Sequence, residues 1–214
     1  MSNYYHGAKA SKQATSVSTP VVADSSIHLI VGTAPVHTVG GKVNEPVYAS
    51  NYAEAVAAMG YSDEWDKYDI CEEIYSSFKL YSNGPIVMVN VLDPAKHLKG
   101  EETVDKTLAG GITELPFEAV SGTVEVKGYD GEDSLTEKYT RGEDYDLFYT
   151  DGVLRLERIE SGKIKADNAK LNIKFNSVDP SKVTKKDIIG GYDTSTNKSS
   201  GFELVDSVYP KYGV

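Results

Sequence analysis

Two apolar runs of strand length constrain this fold most. Residues 27–32 (IHLIVG) and 85–92 (PIVMVNVL) contain no Asp, Glu, Lys or Arg, which is the pattern of strands covered on both faces of a sheet. Gly32 and Pro35 end the first run, and residues 46–49 offer a second short strand. Between the runs lie two helix signatures. Asn51 with Glu54 three residues on makes a capping-box start, Tyr52, Val56 and Met59 follow at helical spacing, and Gly60 supplies the stop. Asp69 and Glu72 repeat the device ahead of a stripe of Ile70, Ile74, Phe78 and Tyr81, closed by Asn83, Gly84 and Pro85. Strand, helix, helix, strand in that order predicts an α/β layer with a crossover connection. His28, inside the first run, is expected as a hydrogen-bonded core histidine.

The texture changes after Ala95. A polar linker (KHLKGEETVDKTLAGG) precedes segments of period-two alternation: Val124 and Val126, Leu154 and Leu156, then Leu171, Ile173 and Phe175. Asp151-Gly152 between two apolar stretches is a hairpin turn signal. Residues 116–178 therefore read as an inserted small antiparallel β domain, sandwich or barrel-like. Pro180 opens a helix-entry turn that Gly190-Gly191 breaks; residues 192–201 read as a polar loop and 202–208 as a last apolar stretch. The N-terminal 23 residues are rich in Ser, Thr and Ala, and their only extended pattern is the β-branched run holding Thr15, Val17, Thr19, Val21 and Val22. That is an arm with a latent strand. The chain thus divides into an arm (1–23), a first part of an α/β core with its linker (24–115), the β domain (116–178) and a return to the core (179–214). The class is α+β or α/β, with a core sheet of two or three strands, too few to close its own edges.

Composition narrows the chemistry. Across 214 residues, 22 Lys and Arg face 32 Asp and Glu, a net charge of −10, so a nucleic-acid duplex would be repelled and is not expected as a direct partner. No apolar stretch is long enough to span a bilayer as a helix, so no membrane insertion is expected, and residues 1–10 lack the apolar core of a secretory signal. The single Cys71 allows neither an internal disulfide nor a cysteine-pair metal site. His6, His28, His37 and His97 have no metal-ligand spacing. No nucleophile elbow, P-loop or dinucleotide fingerprint is present. Ser76/Lys79 and Ser195/Lys198 match S-x-x-K at chance frequency, without companion motifs. The acidic run Asp63, Glu64, Asp66, Asp69, Glu72 and Glu73 lacks the order of a calcium loop and reads as a solvated first helical turn; the DGED tract at 130–133 reads as a hairpin tip. No cofactor, metal or catalytic constellation is expected. Tyrosine stands out, at 15 against five Phe, a surplus suited to interfaces or to sheet surfaces.

Several stretches, taken in order, resemble the tail sheath proteins of contractile phage tails and related contractile injection particles. They are ATSVSTPVV before the first strand, LIVGTAP (29–35), NEPVYASNYAEAVAAMG (44–60), GPIVMVNVLDP (84–94), SGTVEVKG, GEDYDLFYTDGVLRL, VDPSKVTKKDIIGGYD and GFELVDSVYPKYGV. The resemblance implies a non-enzymatic structural subunit, with an α/β sheath core near the tail tube and an inserted domain facing outward. Its terminal arms would add strands to neighbours' sheets, making residues 1–23 the exchanging arm. The implied partners are copies of itself in a helical sheath, the tail tube protein and the baseplate. The implied location is the virion, or the bacterial host cytoplasm during assembly. Family members run well past residue 214, which implies an N-terminal portion. The alternative reading is a non-enzymatic β-domain binding module or adhesin built on 116–178.

Overall fold

The computed structural model describes residues 27–129, 135–150 and 152–212; the arm residues Thr15, Val17, Thr19, Val21 and Val22 and the DGED tract lie outside these. Strands β1 (His28–Gly32), β2 (Val47–Ala49) and β3 (Ile86–Asn90) form a sheet in the order β1-β3-β2. β1 runs parallel to β3, and helices α1 (Tyr52–Met59) and α2 (Asp69–Tyr75) lie in the crossover between them. The expected α/β unit is therefore present. The two apolar runs are not equivalent, however. Every residue of β3 is buried, whereas β1 is half-buried and its His28 is exposed. β3 is central and β1 is an edge, a distinction that apolar content alone does not encode. His28 is accordingly no core histidine: its ring faces solvent 3.8 Å from the Glu73 carboxylate.

Alternation along β3 sends side chains to two cores. Ile86 and Met88 meet Ala55, Met59, Ile70 and Ile74 of the helices, and Val89 packs with Val91 and Leu204 under Leu29 and Val31. Each such fully buried side chain contributes about 1.5–3 kcal/mol relative to exposure. At the carboxyl end of β3 the buried Asn90 acts as a polar latch. Its Oδ1 accepts the amides of Ala34 (2.9 Å) and Leu92 (3.1 Å), and its Nδ2 donates to the Leu92 carbonyl (2.8 Å).

The Asn51 cap forms as expected: its Oδ1 accepts the Glu54 amide, while Glu54 reaches back to the amide of Ser50. Asp69 behaves otherwise. It is the first helical residue of α2 and does not cap it; its carboxylate accepts the amide and the hydroxyl of Thr33, just past β1. Gly32 leaves room for this contact, because a Cβ there would overlap the carboxylate and displace it. The expected stripe also fails at its end. The chain widens into a π turn at Ser76–Leu80, and the extra residue per turn rotates Tyr81 outward to 76% exposure, while Ile70 and Ile74 stay buried.

The antiparallel part holds β4 (Leu98–Thr107), β5 (Ile112–Pro116), β6 (Glu125–Tyr129), β7 (Leu135–Tyr139), β8 (Tyr145–Thr150), β9 (Val153–Arg158) and β10 (Lys170–Val178). They form two sheets, β4-β10-β6-β7 and β5-β9-β8. Leu171, Ile173, Phe175 and Val126 of the first share one core with Leu115, Leu147, Leu154 and Leu156 of the second. Two sheets around one core make a sandwich arrangement, and among the described residues no barrel closes. The β8–β9 hairpin turns where expected, with Thr150 opposite Val153 and Gly152 at φ 75°. The stretch read as a polar linker is a correction. It carries β4, which pairs with β10 from Leu98 opposite Val178 to Thr107 opposite Lys170. β4 is an edge strand whose charges face solvent, with Lys174 of β10 holding Glu101 at 2.7 Å, so it has no apolar alternation to announce it.

The chain leaves the β part beside its point of entry, the Asp179 amide donating to the His97 carbonyl at 2.8 Å. A single turn, Pro180–Lys182, leads to α3 (Lys185–Ile189), whose start is fixed by Asp187 accepting the amide (2.8 Å) and hydroxyl (2.6 Å) of Thr184. The expected polar loop holds a small hairpin, β11 (Gly191–Asp193) and β12 (Lys198–Ser200), and α4 (Val205–Tyr212) follows. Leu204 and Val208 are buried, so this return covers the second face of the sheet.

Asn90→Ala leaves the amides of Ala34 and Leu92 buried without acceptors, and should lower unfolding free energy by about 2–4 kcal/mol. Urea denaturation followed by circular dichroism measures this; a change under about 0.5 kcal/mol would remove the latch from the account.

Candidate assembly surface

The residues most able to do chemistry are dispersed. His37 is buried against the β part, while His97 accepts the Asp93 amide at Nδ1 (2.9 Å) and lies 3.9 Å from Asp187. Among the described residues, no three His, Cys, Asp or Glu side chains are placed to hold a metal ion. Cys71 is buried, and burial pushes its thiol up to about 11, away from thiolate chemistry. The S-x-x-K matches resolve into local contacts. Lys79 sits 4.1 Å over the Tyr52 ring, and the Ser195 hydroxyl donates to Asp193. The acidic run is likewise divided: Glu64 pairs with Lys67, Asp69 holds Thr33, and Glu73 accepts the Ser77 hydroxyl.

Backbone edges and exposed apolar groups are distributed unevenly. Among the described residues β1 pairs only with β3, leaving its other edge open, and that edge belongs to a strand of Leu29, Ile30 and Val31. β4 is also an edge, but Lys99, Glu101, Glu102, Asp105 and Lys106 stud it, a pattern that discourages strand addition. β1 has no such guard. Exposed large side chains follow the same division. The β sandwich shows Phe148 at 38%, whereas the layer and the return segment show Tyr81 at 76%, Tyr209 at 67%, Ile189 at 66% and Tyr192 at 58%. Part of the tyrosine surplus therefore lies on the surface of the layer side, where it suits contact with another protein.

The layer and the sandwich meet at a seam that no sequence pattern marks. Phe117, just after β5, packs edge-on against the rings of His37 (5.6 Å), Tyr149 (6.1 Å) and Tyr68 (6.2 Å). Lys67 pairs with Glu118 at 2.7 Å beside it. Burial works against ionised Glu118, but Lys67, with a backbone amide and His37 in support, outweighs it and holds the carboxyl below its usual range. The Tyr149 hydroxyl donates to the Ala119 carbonyl (2.6 Å) and accepts the Ser121 amide (3.1 Å). These residues come from separated stretches, so only a tertiary contact joins them.

No family model matches the chain, and no solved structure does. The chain is similar to a tail sheath protein of Burkholderia phage BcepMu, with 28% identity over 213 residues. That match covers 99% of this chain and 41% of the relative, so the chain spans about two fifths of the length of the curated relative it matches. The likeness runs along nearly every residue described above, and it bears out the resemblance to phage tail sheath proteins that the ordered motifs carry.

Proposed function

We propose that the chain is part of a structural subunit of a contractile tail sheath, in a phage tail or related contractile injection particle. In this reading it polymerises with its own copies around a tail tube, docks on a baseplate, and shortens to drive the tube through a target envelope. The observation that carries the reading is the likeness to a tail sheath protein along nearly the whole chain. The open edge of β1 supports it. An extended segment laid on such an edge gains main-chain hydrogen bonds, and the arm residues Thr15, Val17, Thr19, Val21 and Val22 supply the β-branched strand to lay there. A head-to-tail contact of this kind generates a helix of subunits when its rotation does not close. Contraction then needs two packings of similar energy, the extended one held until a trigger releases it, and consumes no cofactor.

The inserted unit in this reading is residues 98–178, outward-facing and joined to the layer by two neighbouring crossings. The pairing of β4 with β10 and the His97–Asp179 bond support that boundary over one at 116.

Immunogold electron microscopy with antibodies to this chain tests the function. Label along the length of contractile tails is expected; label confined to fibre tips, or on free protein alone, would favour the adhesin reading. A second expectation concerns the insertion. Replacing residues 98–178 by a short Gly/Ser bridge from His97 to Asp179 should leave a folded layer, with dispersed amide resonances and helical circular dichroism. Global unfolding would reject the boundary.

A further inference from the structure

The seam contains a group that the assembly reading leaves unused. His37 lies in a single helical turn after β1 (Val36–Thr38) and is 8% exposed. Its Nε2 sits 3.0 Å from the Phe117 carbonyl oxygen, which can only accept, so Nε2 carries the hydrogen. Its Nδ1 is buried with no hydrogen-bond partner. In the neutral ring that atom is a bare lone pair, whose unpaired burial costs less than that of a charge. In the imidazolium it becomes a charged N–H with no acceptor, which a buried site tolerates poorly.

We propose that His37 is a pH-dependent latch between the β1-β3-β2 layer and the β sandwich, holding the two together while neutral and releasing them when protonated. Its place in the fold makes it effective. Its ring stacks edge-on against Phe117 and Tyr149 of the sandwich side, and its hydrogen bond is made to that side's backbone. The ionisable groups acting on it or packed against it are Glu118, from the segment after β5, and Tyr149 of β8; Lys67, from the turn before α2, reaches the seam through Glu118, and Tyr68 through the Phe117 ring. Glu118 attracts a proton to His37, but its carboxylate is already committed to Lys67. Burial dominates and lowers the imidazole below 6.5.

The direction of the effect follows. A group whose folded pKa is depressed stabilises the closed state fully above its unfolded value of 6.5, and that stability is lost as pH falls toward the folded value. Within that window the open-to-closed ratio rises by up to about tenfold per pH unit. Glu118, held below its usual range, stays ionised through the window and does not contribute there.

The test is amide hydrogen exchange on the 214-residue chain between about pH 7 and 5, corrected for intrinsic rates, with NMR titration of the imidazoles. Amides of Val39, Tyr68 and Ser121 should lose protection as pH falls, while those of β3 and β10 keep theirs. His37→Gln, which retains a donor for the Phe117 carbonyl and cannot be protonated, should abolish the slope; His28→Gln should not. Seam protection that stays flat, or that falls equally in His37→Gln, would overturn the latch. So would a His37 midpoint at or above 6.5 in the unsubstituted chain, a readout independent of whether the variant folds.

Discussion

β3 is the element on which the rest is built. It is five residues long and buried throughout, it has a strand on each side and a core on each face, and Asn90 at its end satisfies the amides of the two chain segments that leave the sheet. A sheet of three strands exposes two edges, and β2 is only three residues long. Stability is therefore concentrated at the centre, while the β1 edge keeps its hydrogen-bonding capacity free among the described residues. That combination suits a subunit whose sheet is extended by another chain.

The two halves of the molecule manage their surfaces differently. The sandwich buries its apolar side chains in one core and guards its β4 edge with charge, as a part that must stay in solvent would. The layer and its return segment instead expose tyrosines and, among the described residues, the uncharged edge of β1. In the proposed sheath this asymmetry separates an outward unit from an assembling one. The seam that joins them is small and aromatic, centred on Phe117.

Much of this was legible in the sequence wherever burial writes a period. The charge-free runs marked β1 and β3, the Asn51 cap marked α1, alternation marked β10, and Asp151-Gly152 marked the β8–β9 turn. What stayed illegible has physical causes. A continuous apolar run does not say whether its strand is central or at an edge, so β1 and His28 came out more exposed than expected. β4 is paired on one side only and shows its charges outward, which reads as a linker. Asp69 resembles a cap by position but is spent on Thr33, a contact 36 residues away in the chain. The His37–Phe117 contact spans 80 residues, and no local pattern could announce it. The arm residues proposed for strand exchange lie outside the described residues, and the ordered motifs, not the geometry, single them out.

The central claim is that the β1 edge is filled by a strand from another copy. Hydrogen exchange at the amides of Leu29, Ile30 and Val31, compared between the free chain and the assembled particle, addresses it most directly. Occupation of the edge predicts a large gain in protection for those amides that face away from β3. Protection unchanged on assembly would mean that the edge stays open and that the subunits are held together elsewhere.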